Sequence, residues 1–292
     1  MSGAVLAAAS GVGFGVFQSI NVRALREGED PYASTFVQVV VAALLLAVIA
    51  LATGDVAGVF DAPLWALGYF TLSGILHFLA GWSLLNLSQQ RIGAARTSPL
   101  LTTAPVFGAF VAFVTIGQLP SGIALVAMGL MCAGAYVVAS RGGIATVAPA
   151  DAVAGLGCAL MWSISPIFIA RGLEGYDSPL AGLVVGLAIT VLAYAALYAI
   201  WRGRSQARRT IVSSITNLKL LAGALVGLST WWRWAALDDA TVGAVLALNL
   251  LSVPIVLLLA PILAGRAKER VTAGLWAGAG LVVAGALLLV TT

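Results

Sequence analysis

Apolar runs about twenty residues long, separated by short polar or Pro/Gly-marked breaks, fill almost the whole chain. A helix needs roughly 20 mainly apolar residues to cross the hydrocarbon core of a bilayer, so each run predicts a crossing. The runs fall at about 2–22, 33–53, 63–86, 94–116 and 121–140, then 151–171, 179–201, 218–237, 241–264 and 271–291. The expected fold is an all-α membrane protein of ten transmembrane helices. Composition agrees: of 292 residues 61% are apolar and 9% charged, with mean hydropathy +1.05, against about 25% charged in an ordinary soluble domain. A water-soluble globule is excluded, because so few charges cannot cover a body of this size. Met1 to Val22 has no Lys or Arg ahead of its apolar stretch, and reads as a first membrane helix, not a cleaved signal.

The pattern repeats. Gly11, Gly13 and Ser19 recur as Gly155, Gly157 and Ser163, and Asp30-Pro31 is answered by Asp177-Ser178-Pro179. Pro105 matches Pro254, and Gly129 and Gly134 match Gly280 and Gly285. The expectation is two five-helix repeats, 1–145 and 146–292. Five crossings per copy give the second copy opposite polarity, the inverted-repeat plan of secondary transporters, with a substrate site near the midplane.

Charge orients the bundle. Thirteen of the fifteen Lys and Arg follow odd-numbered crossings: Arg23, Arg26, Arg91, Arg96, Arg141, Arg202, Arg204, Arg208, Arg209, Lys219, Arg266, Lys268 and Arg270. Arg171 and Arg233 lie toward the other face. By the positive-inside rule the basic face is cytoplasmic and both termini are not. The basic loops point to anionic lipid headgroups as partners and away from nucleic acid. Cys132 and Cys158 lie inside apolar runs and read as small core residues.

Further residues resemble the drug/metabolite transporter superfamily, in particular its ten-helix EamA-type exporters. The likeness covers essentially the whole chain. It is carried by Ala159-Leu160-Met161-Trp162-Ser163, echoed by Gly15-Val16-Phe17-Gln18-Ser19, and by Ser98-Pro99 through Thr103-Ala104-Pro105-Val106-Phe107-Gly108. The Gly-punctuated Val126-Ala127-Met128-Gly129 and Cys132-Ala133-Gly134 complete it. Among members the chain looks most like the YddG type, which implies export of amino acids and related metabolites across a bacterial inner membrane. It departs from the family pattern at Gln38, where an Arg is common, with Gly186 at the corresponding place. It also departs at Gly117-Gln118, where a Gly-Glu pair is common and only Glu269 answers in the second half.

No catalytic constellation is visible, and neither a metal site nor a cofactor is expected: there is one histidine, and no Ser-x-x-Lys, His-Glu-x-x-His or phosphate-cradling Gly-Lys motif. All eleven Asp and Glu map to loops or helix ends, whereas proton-driven pumps usually hold a carboxylate in mid-membrane. His77, with Gly74 and Gly81 on its helix face, reads either as a neutral core histidine or as a cavity-lining group. Arg233, among Trp231, Trp232 and Trp234, reads either as a snorkelling interfacial residue or as an anion clamp with a tryptophan wall. Pro166 frees a backbone carbonyl beside Trp162, Ser163 and Ser165, facing Gln18, Ser19 and Asn21. Asn249, Ser252 and Pro254, with Thr102, Thr103 and Pro105, make the same case from the other helix pair.

The reading is an exporter of small metabolites, most simply amino acids, working by alternating access through a weakly polar cavity. Gln18, Asn21, His77, Trp162, Ser165 and Asn249 are the expected substrate contacts, and Pro105, Pro166 and Pro254 the expected gates or hinges. The alternatives are a non-transporting structural or sensory scaffold and a broad drug or metabolite efflux protein.

Overall fold

The computed structural model describes residues 2–25, 28–116, 119, 121–141, 149–239, 245, 248–265 and 269–290. Among them there is no strand. The helices are α1 (Gly3–Ala24), α2 (Pro31–Thr53), α3 (Leu64–Ile92), α4 (Ala94–Leu101), α5 (Ala104–Ile116), α6 (Gly122–Arg141), α7 (Pro149–Gly175), α8 (Pro179–Ser214), α9 (Asn217–Asp239), α10 (Ser252–Leu263) and α11 (Ala273–Val290). Six of these are long and apolar enough to cross a membrane, or seven if the bent pair Ser205–Ser214 and Asn217–Ala236 counts as one span; Ser252–Leu263 and Ala273–Leu289 are shorter apolar helices.

Local chemistry sets several boundaries. Asp30 accepts hydrogen bonds from the Tyr32 and Ala33 N–H groups and Pro31 occupies the first helical position, so α2 starts there. Gly54, at φ +84°, ends it. The expected crossing 94–116 is broken at Thr102–Thr103 into α4 and α5. Pro105 then sits in the first turn of α5, where its missing N–H costs no helical bond. Pro254 stands alike in the first turn of α10, after a turn at residues 250 and 251. Of the expected span 241–264, residues 241–244, 246 and 247 lie outside the described residues. Two other spans run longer than expected: α3 continues to Ile92 and α8 to Ser214.

Packing relies on small residues, as membrane bundles require. A Cβ on Gly74 of α3 would overlap the backbone of Gly186 in α8. One on Gly223 of α9 would come within 2.9 Å of the Gln38 carbonyl in α2, and one on Gly134 of α6 within 2.6 Å of the Gly278 carbonyl in α11. The main core joins Phe17, Phe70, Phe78, Trp82, Leu183 and Trp234. Leu44, Val48, Leu51 and Leu192 are each more than 60% exposed, an apolar exterior that water would not tolerate and lipid does.

Candidate functional site

Between α1, α3, α4, α5, α7, α9 and α10 lies a cavity of about 680 Å³. Its floor carries Gln18 and Ser98, its walls Phe14, Leu101, Trp162 and Ile169, and its mouth reaches the exposed Glu174 at the end of α7. The mouth therefore lies at the C-terminal end of α7, away from Asp151 at its other end, which pairs with Arg91 at 3.6 Å.

The chemistry centres on the stretch of α3 from Ile75 to Trp82, which winds as a π-helix. Such widened turns re-aim side chains and recur at functional sites. Here the turn buries His77, which stacks on the Trp162 ring at 5.2 Å and 12°. The Trp162 indole N–H donates to the His77 carbonyl at 3.2 Å, and its ring meets Phe14 edge-on at 5.3 Å. Gly81 makes room for that indole, since a Cβ there would lie 2.5 Å from Trp162 Nε1. Thus Gly74 and Gly81 serve different neighbours, α8 and Trp162, with His77 between them.

Arg233 reaches into the same place. Its Nη2 is 3.1 Å from His77 Nε2, and its guanidinium carbon 6.0 Å from the Trp162 ring. A guanidinium only donates, so His77 Nε2 accepts, the ring proton sits on Nδ1, and Nδ1–H donates to Ser165 Oγ at 2.9 Å. Among the described residues Arg233 has no carboxylate partner, and it lines the cavity. The snorkelling reading is thereby replaced by the inward one: the passage holds a fixed positive charge where the sequence suggested nearly none. Trp82 and Trp234 also line the cavity, both 1% exposed, and among the described residues neither indole N–H has a partner. Three donor-bearing side chains, Arg233, Trp82 and Trp234, thus line one cavity.

Below the floor the polar residues behave differently. Asn21 donates to Asn86 Oδ1 at 2.6 Å and Gln89 Oε1 at 2.7 Å, Asn86 donates to Gln38 Oε1 at 3.0 Å and Thr35 Oγ1 at 2.8 Å, and Gln38 donates back to Asn21 Oδ1 at 2.5 Å. Gln89 donates to Gln18 at 3.1 Å, and Gln18 to Ser98 at 3.4 Å. All five amides are at most 1% exposed. They belong to α1, α2 and α3, so the cluster stiffens one region instead of joining two.

Of the expected substrate contacts Gln18, His77, Trp162 and Asn249 line the cavity, and of the expected gates or hinges Pro105 and Pro166 do. Asn21 lies in the amide cluster and Ser165 behind His77, both fully buried and off the cavity wall. Pro254 is also off it. Ser10 ties α1 to α9 and to Asn249 through bonds to the Ser229 carbonyl at 2.7 Å and Asn249 Oδ1 at 3.1 Å. Trp82, Trp234, Ser10 and Ser98 were absent from the expected contacts. Alternation of apolar and polar types gives no sign of an unpartnered indole N–H, which only packing creates. Glu269 accepts from the Ala94 and Ala95 N–H groups at 2.7 and 3.2 Å, capping the start of α4. Gln118 lies outside the described residues. Among the described residues no cluster of His, Cys, Asp and Glu could hold a metal.

A solved crystal structure of a protein superposes on 98% of this chain and 95% of its own with a TM-score of 0.59 at 17% identity, a likeness of fold. No curated protein matches the chain. Residues 1–140 match the EamA-like transporter family. Those residues form an EamA-like transporter domain.

Proposed function

We propose that this membrane transporter exports small metabolites bearing a carboxylate, most simply amino acids, by alternating access of the cavity between two five-helix repeats, 1–145 and 146–292, ten crossings in all. The observation that carries the substrate class is the Arg233 guanidinium, which has no carboxylate partner among the described residues and lines a cavity also lined by the Trp82 and Trp234 rings. A guanidinium with no counter-charge recognises an anion, and an intramembrane charge facing a cavity marks a substrate path. The surrounding Phe14, Trp162, Leu101 and Ile169 receive an apolar side chain.

Helix pairing supports the repeat. α1 packs on α9 and α10, while α7 packs on α3, α4 and α5. Gly74 against Gly186 is mirrored by Gly223 against Gln38, positions 149 and 148 residues apart. The break before Pro105 is likewise mirrored before Pro254. In this reading the chain sits in a bacterial inner membrane with non-cytoplasmic termini, and the cavity opens away from the cytoplasm.

The test is uptake into proteoliposomes. Neutral amino acids enter saturably, the corresponding amino-acid amides do not, and an imposed pH gradient leaves the rate unchanged, since no carboxylate lies within the membrane portion of the passage. Equal flux of acids and amides would overturn the carboxylate assignment, and linear flux would make the protein a channel. A reporter at Thr292 active in the cytoplasm would reverse the orientation.

A further inference from the structure

Helix α8 does not stop where its apolar run stops. It continues from Trp201 to Ser214, and its last stretch, Ser205–Ser214, meets Asn217–Ala236 of α9 at 85°. Spanning helices run close to the bilayer normal, tilted about 20° on average. With α9 crossing the bilayer, as the proposed ten-crossing reading has it, a segment perpendicular to α9 lies along the membrane surface.

The two sides of that segment differ. Ala207 and Ser214 are buried and Ile211 is half-buried, at i, i+7 and i+4, and face the protein. Arg208 and Arg209 are exposed, with Val212 57% exposed and Ile215, just beyond the helix, 50%. At the near end Trp201 is 73% exposed, an aromatic at the height where such rings anchor an interface. From residue 178 to 237 the sequence has no Asp or Glu, while Arg202, Arg204, Arg208 and Arg209 fall within eight positions. Glu29 and Asp30 lie on the protein side, across a pocket shared with Thr210, Ser213 and Ser214. Glu29 pairs with the buried Lys219, and Asp30 caps α2. Neither Arg208 nor Arg209 has a carboxylate partner among the described residues.

We infer that Ser205–Ser214 is a docking surface for anionic phospholipid. Arg208 and Arg209 take the headgroup phosphate, Val212 and Ile215 enter the boundary of the acyl chains, and Trp201 holds the segment at the interface. An in-plane helix with basic and apolar residues on its outer side has this physics, and each Arg near an anionic surface contributes about 1 kcal/mol, roughly a five-fold change in affinity.

The purified full chain in detergent, titrated with phosphatidylglycerol or phosphatidylcholine and read by native mass spectrometry, tests this without any transport measurement. Replacing Arg208→Gln and Arg209→Gln together is expected to weaken phosphatidylglycerol binding by up to about 30-fold, leaving phosphatidylcholine binding unchanged. Arg208→Lys with Arg209→Lys stays within about three-fold, because the charge remains. If the double Gln variant does not fold, Arg208→Gln alone gives the five-fold step. Unchanged phosphatidylglycerol binding in the Gln variants would overturn the inference. So would displacement of the lipid by an equal concentration of inorganic phosphate, which would assign the arginines to a free anion.

Discussion

The amide cluster under the floor and the Arg233–His77 centre above it are both polar, both buried in a membrane bundle, and built for opposite purposes. In the cluster, donors and acceptors are matched: Asn21, Asn86 and Gln38 close a ring of hydrogen bonds, and Gln89 and Gln18 extend it to Ser98. At the centre donors exceed acceptors: among the described residues the Trp82 and Trp234 indole N–H groups have no partner, and both rings line the cavity of about 680 Å³. Satisfied polar groups specify a structure. On the function proposed above, a surplus of donors beside a cavity is what a ligand would satisfy.

Four substitutions break or sharpen this contrast. The largest expected effect is in the cluster: Asn86→Leu leaves Asn21, Gln38 and Thr35 short of partners. At about 1–3 kcal/mol for each stranded buried group, the loss totals about 3 kcal/mol or more. Thermal unfolding in detergent should show it, while substrate affinity of the folded fraction stays as in wild type. At the centre the pattern inverts. Arg233→Gln removes a charge-assisted bond of about 1.5–3 kcal/mol, raising the half-saturation concentration about 10- to 150-fold, with thermal stability equal to or above wild type because an unpaired buried charge is gone. A substantial drop in melting temperature for this variant would mean the arginine is structural after all.

The third effect is geometric. Gly81→Ala drives a Cβ into Trp162 Nε1, tilting the ring that stacks on His77; affinity should fall several-fold, and the smaller Trp162→Phe in the same background should restore part of it. The smallest comes from one donor. Trp234→Phe keeps the ring and deletes the N–H, for which about 1 kcal/mol, or roughly five-fold in half-saturation, is expected. No change would remove that indole from the substrate contacts.

Legibility in the sequence follows from range. Helix existence came from runs of apolar residues, while the caps at Asp30 and Gly54, which the structure shows, obey rules that act within a few positions. The break at Thr102–Thr103 was foreshadowed by Pro105, because proline acts on its own turn. Gln18, His77, Trp162 and Asn249 stood out as polar or aromatic groups in lipid-length helices, and all four line the cavity. Asn21 stood out for the same reason and turned inward to other amides, while Ser165 turned to His77. Residue type marks a side chain as needing a partner and says nothing of which partner it finds.

The sequence by itself determined the solvent, the helical class and the stock of polar groups carried into the membrane, because these follow from hydrophobicity and from the backbone's need to satisfy its own hydrogen bonds in lipid. Tertiary structure decided how that stock was divided. Residues 77, 162, 165 and 233 meet only when α3, α7 and α9 pack, and packing turned Arg233 from an interfacial candidate into the charge of the cavity. A hydrogen bond or a void between distant segments is a property of their relative position, and no local pattern encodes it.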